Sequence, residues 1–128
     1  MKRSLFFILI TVTMLAMSGC YYDWIVPETI PEIPVDQEIS FAQDILPIWN
    51  TGNNCTACHK AGSTAPDLTA ANAYASINTA KYINQSNPSQ SLIYTVPSPL
   101  AARQHFKVYT GEQAAFILAW ITQGAKNN

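Results

Sequence analysis

The five consecutive residues Cys55-Thr56-Ala57-Cys58-His59 contain every thiol beyond Cys20 and one of the chain's two histidines. Two thiols three apart with an adjoining imidazole can serve several chemistries, and each needs different partners. A structural zinc ion takes four Cys or His ligands, commonly as two pairs. Beyond Cys20 the chain offers Cys55, Cys58, His59 and His105, with no second C-x-x-C. His59, immediately beside Cys58, is poorly placed to join both cysteines on one tetrahedral ion. A thioredoxin-like dithiol is expected in a strand–helix setting, and no alternating strand is legible. A disulfide across two intervening residues would constrain the unfolded chain very little.

C-x-x-C-H is also the attachment signature of c-type haem. Cysteines at this spacing can form thioethers with the two vinyl groups on one porphyrin edge. The next residue then lies beneath the iron, so His59 is the expected proximal ligand. This reading predicts one covalent haem c held by Cys55, Cys58 and His59.

Such haem is attached outside the cytoplasm, and the N-terminus agrees with export. Lys2 and Arg3 precede the apolar run Leu5–Met17, which is shorter than the roughly 20 residues of a membrane-spanning helix. The run fits the hydrophobic region of a secretory signal peptide. Met17-Ser18-Gly19-Cys20 resembles a bacterial lipobox, with Met17 where Leu is commoner, and implies lipidation of Cys20. The expected organisation is a signal peptide over 1–19, a lipidated Cys and Pro-rich tether over 20–39, and a folded domain over 40–128. That places the protein in the cell envelope, facing the periplasm and held to a membrane by its lipid. The formal net charge is −1, and no Lys/Arg cluster exists, which argues against nucleic-acid binding.

The surrounding elements must position these groups. Pro27, Pro31 and Pro34 favour an extended polyproline-like spacer. Ser40 and Gln43 have capping-box spacing. Phe41, Ile45, Ile48 and Trp49 then form one helical face, with Pro47 expected to kink or end the helix. A short helix is expected over 70–77. A further one is expected from Asn87-Pro88, with Asn87 as cap and Pro88 at its first position, continuing over Ser91–Val96. Thr110 and Gln113 repeat the capping-box spacing before a stripe of Phe116, Ile117, Trp120 and Ile121, and Gly124 stands at the C-cap. So much loop around so small a core suggests that a large apolar ligand completes it.

These residues resemble the small single-haem bacterial cytochrome c modules related to class I cytochromes c. The likeness runs through Asp44-Ile45-Leu46-Pro47-Ile48, CTACH, Pro66-Asp67-Leu68, Asn87-Pro88 with Ser91-Leu92 and Tyr94, and Trp120-Ile121 with Gly124-Ala125. It covers roughly residues 40 to 125. It implies an all-α fold, a small cytochrome c-like arrangement of three to four short helices around the haem, with N- and C-terminal helices crossing beside it. It also implies that the Pro66 carbonyl accepts from His59 Nδ1 and that Leu68 packs on the porphyrin.

The family commonly places a methionine on the other face of the iron, and here the chain departs from it. Met1, Met14 and Met17 all precede Cys20. His105, in the loop before the last helix, stands where the relatives present that methionine and is the expected sixth ligand. An open position, water or Lys107 are the alternatives. Two histidines imply an electron carrier of lower potential than Met/His ligation gives, working with redox partner proteins and catalysing no group transfer. An open iron would instead imply a haem sensor or a peroxidase-like protein. A third reading is a lipoprotein whose CTACH takes no haem and serves as a partner-binding or redox loop.

Overall fold

The structure, a computed structural model, describes residues 29–52, 54–102 and 105–128. The expected signal peptide and Cys20 lie outside the described residues. The described residues are helical, without a strand, and no helix among them is long and apolar enough to cross a membrane.

The opening helix is two wide π-helical turns, Phe41–Ile45 and Ile48–Gly52. Their shape follows from Pro47, which has no N–H and whose ring would strike the carbonyl of residue 43 in a regular helix. The widening begins before the proline. The Ser40 carbonyl accepts from both Asp44 and Ile45 N–H, and Leu46 N–H reaches back five residues to Phe41. Side chains serve the carbonyls around the proline, since Asn50 Nδ2 donates to Leu46 O at 2.9 Å and Thr51 Oγ1 to Pro47 O at 2.9 Å. Pro47 therefore widens the helix where the sequence suggested a kink or an end.

Ser40 is its N-cap, with Oγ accepting from Gln43 N–H at 3.2 Å. The return bond comes from Asp44, whose Oδ2 accepts from Ser40 N–H at 2.8 Å, where capping-box spacing had suggested Gln43. Asn128 satisfies two further N–H groups at this end, Phe41 through its Oδ1 and Ala42 through its backbone oxygen.

Three α-helices follow: α1 (Ala73–Ile77), α2 (Leu92–Thr95) and α3 (Gly111–Thr122). Helix α1 begins three residues later than expected, because Asp67, Thr69 and Asn72 form a hydrogen-bonded turn ahead of it. Pro88 opens a separate 3₁₀ turn, Pro88–Gln90, and the Asn87 side chain does not cap it. The expected continuous helix is broken at Ser91, whose backbone is extended and whose Oγ accepts from Asn84 N–H. Helix α3 carries the full Thr110–Gln113 capping box. It ends on Gly124 at φ +97°, with Gly124 N–H bonded to Ile121 O and Ala125 N–H to Trp120 O, the two bonds of a Schellman cap.

The core forms where the opening helix meets α3. Phe41, Ile45 and Trp49 are buried with Ile117, Trp120 and Ile121, and the Phe41 ring lies 5.4 Å from Trp120, 5.3 Å from Tyr74 and 6.0 Å from Trp49. Packing begins before Ser40, because Ile30 and Ile33 of the Pro-rich segment lie half-buried against this core. The Gln123 carboxamide grips the segment, accepting from Ile39 N–H at 2.9 Å and donating to Gln37 O at 2.8 Å.

Candidate functional site

Asn54, in the left-handed region at φ 49°, turns the chain into the 3₁₀ turn Cys55–Ala57. Asparagine tolerates that conformation better than most residues. The Cys55 carbonyl accepts from Cys58 N–H at 3.1 Å and His59 N–H at 2.8 Å, which winds the two thiols and the imidazole into one tight turn. Both cysteines are free thiols, Cys55 half-buried and Cys58 exposed. Burial pushes the Cys55 thiol above its ordinary pKa, and the Lys107 ammonium partly opposes this.

The chain after His59 folds back on it. His59 Nδ1 lies 3.1 Å from Pro66 O, and Leu68 N–H donates to His59 O at 3.0 Å. Pro66, which follows a cis peptide bond, and Leu68 are both buried.

His105 comes from the loop between α2 and α3. Its Nδ1 lies 2.8 Å from Lys107 O and 3.3 Å from Lys107 N. These two contacts need opposite tautomers, and the shorter one, a donor facing a carbonyl, puts the proton on Nδ1. His59 is fixed the same way by Pro66. Each ring thus keeps its Nε2 lone pair free. The two ring centroids are 5.9 Å apart with planes inclined at 35°.

The pair lies at a largely apolar cavity of about 280 Å³, walled by Leu68, Tyr82, Ile93 and Tyr109 with Leu92 and Val96 at its exposed side. A second cavity of about 200 Å³ shares Cys55, His59 and His105 with the first and adds Cys58. Cys55, His59 and His105 thus border both cavities, Pro66 and Leu68 line only the first, and Cys58 only the second. Tyr109 holds the rear wall. Its hydroxyl accepts from Trp49 Nε1 at 2.9 Å and donates to Ile93 O at 3.2 Å. Full burial pushes its pKa far above the usual phenol value.

The donor set can be weighed against the chemistry. Imidazole nitrogen lies about 2 Å from a bound first-row metal, and ring centroids stand about 1 Å farther out, so two imidazoles on opposite sides of one metal have centroids roughly 6 Å apart. His59 and His105 match that spacing. Among the described residues no group of three or more His, Cys, Asp or Glu is gathered as a metal cage, so the four-ligand set of structural zinc is not assembled. Two imidazoles each with a free Nε2, two thiols nearby and an apolar cavity are a donor set compatible with a metal that brings its own further ligands. Tyr109, Tyr82 and the Lys107 carbonyl escaped the sequence reading, because no local pattern marks a residue as cavity wall. No protein-family model matches the chain, and neither a curated protein nor a solved structure does.

Proposed function

We propose that this chain is an exported, membrane-tethered, single-haem c-type cytochrome that carries electrons, with a small cytochrome c-like fold. Its support is the pairing of His59 with His105, each with Nδ1 bonded to a backbone carbonyl and the rings 5.9 Å apart. In this reading the Cys55 and Cys58 thiols would hold the haem covalently as thioethers. His59 and His105 would be its iron-binding nitrogens, and Pro66 O and Lys107 O would orient them and raise their basicity. Pro66 and Leu68 line the cofactor. Haem iron supplies the one-electron couple.

The protein's own contribution would be to keep the two imidazole nitrogens in place, so that little rearranges when the charge changes. The apolar wall excludes water and strengthens the electrostatic influence of nearby groups. Anchorage through Cys20 and transfer to redox partner proteins in the cell envelope complete the proposal.

The test is the visible spectrum of the ferrous protein, produced with haem-maturation machinery, before and after carbon monoxide. Sharp low-spin bands unmoved by the gas are expected. A high-spin spectrum that shifts with the gas would replace the carrier by a haem sensor or peroxidase-like protein, and absence of covalent haem would remove both.

A further inference from the structure

The segment Pro66–Leu68 holds His59 at two points, through Pro66 O at Nδ1 and through Leu68 N–H at the His59 carbonyl. Pro66 and Leu68 line the cavity, while Asp67 between them does not. Its carboxylate turns outward. Oδ1 accepts from Thr69 N–H at 3.0 Å and from Thr69 Oγ1 at 2.6 Å, and Oδ2 accepts from Asn72 Nδ2 at 2.9 Å. The Asp67 backbone N–H donates to Ser76 Oγ at 2.8 Å. These bonds tie the segment to the start of α1, whose Ala73 and Ile77 are fully buried. Three donors on one carboxylate leave the peptide between Pro66 and Asp67 little freedom to rotate.

We propose that Asp67 is a positioning residue for His59, acting through the Pro66 carbonyl whose direction it sets; this rests on the haem reading above. A well-aligned acceptor at Nδ1 gives the imidazole more anionic character and makes it a more basic ligand. A more basic ligand favours the ferric state. When the Asp67 carboxylate is lost, the carbonyl swings, the bond lengthens and the ferric state loses that preference.

The test compares full-length wild type, Asp67→Ala and Asp67→Asn, produced with haem maturation, by midpoint reduction potential and by the NMR shift of the His59 Nδ1 proton. Asp67→Ala is expected to raise the potential and move the proton upfield while the spectrum stays low-spin. Asp67→Asn keeps an oxygen acceptor for Thr69 and is expected to lie nearer wild type. A potential and proton shift unchanged in Asp67→Ala would overturn the proposal, because a merely structural role lowers the unfolding midpoint and moves neither. Should Asp67→Ala fail to fold, Thr69→Val removes the 2.6 Å donor alone and is expected to shift both readouts the same way by less; no shift there overturns the proposal. If wild type takes no covalent haem, the haem reading falls by itself. The imidazole ¹⁵N tautomer of His59 then decides separately: loss of Nδ1 protonation in Asp67→Ala supports positioning, and no change overturns it.

Discussion

The imidazoles of His59 and His105 face one another at 5.9 Å, and each has its Nδ1 bonded to a backbone carbonyl, Pro66 O for one and Lys107 O for the other. Two rings 46 residues apart in the chain thus share the same tautomer and the same free nitrogen.

The proposed role of His105 as a ligand is open to a direct test. Its loop position leaves it half-exposed, so His105→Ala should fold. The ferrous variant is expected to lose the sharp low-spin bands and to bind carbon monoxide, followed by gas titration. His105→Met should restore the closed spectrum and raise the reduction potential, since thioether ligation favours ferrous iron.

Tyr109→Phe removes a buried hydroxyl that bridges Trp49 Nε1 and Ile93 O. The ring remains, so no large cavity opens, but the indole N–H loses its acceptor. A stability loss of about 1–3 kcal/mol is expected. Urea unfolding at unchanged slope would measure it.

The Pro-rich segment over 29–39 is predicted to contribute to stability. A Cβ at Gly111 would come within 2.5 Å of the Thr29 carbonyl oxygen, so Gly111→Ala should dislodge the segment and speed its cleavage in limited proteolysis. Gln123→Ala removes two bonds to it and should cost about 1–2 kcal/mol at roughly 1 kcal/mol per bond. Wild-type cleavage rates in the first variant would show that the segment does not lean on α3.

Acid should find Asp67. Hydrogen bonds from Thr69 above all, then Asn72, hold its carboxyl below the ordinary aspartate pKa. A depressed folded-state pKa contributes stability above the unfolded value, and that stability is lost as pH falls through the folded one. The unfolding midpoint is therefore expected to drop on acidification below about pH 4, the ordinary aspartate range. Asp67→Asn should lack this part of the drop, as thermal unfolding across that range would show.

Much of the local structure was legible in residue order. The faces of the opening helix and α3 follow from apolar spacing, and the Thr110–Gln113 box and the Gly124 cap from side-chain chemistry a few residues apart. Ser40 is a partial case. Its spacing to Gln43 suggested the reciprocal bond, but Asp44 one residue on reaches the same N–H, and a widened first turn sets which acid or amide faces it.

What the chain order alone determined is therefore the set of short-range choices: which residues cap, which face inward, which thiols and imidazole stand together. The tertiary structure decided that Gln123 grips Gln37 and Ile39, that Asn128 closes the opening helix, that Tyr109 spans Trp49 and Ile93, and that His105 meets His59. Local signals act through bonds within a turn or two. These pairings join residues far apart in the chain, and only when the buried faces of the opening helix and α3 close on one another do their distances become bonding distances.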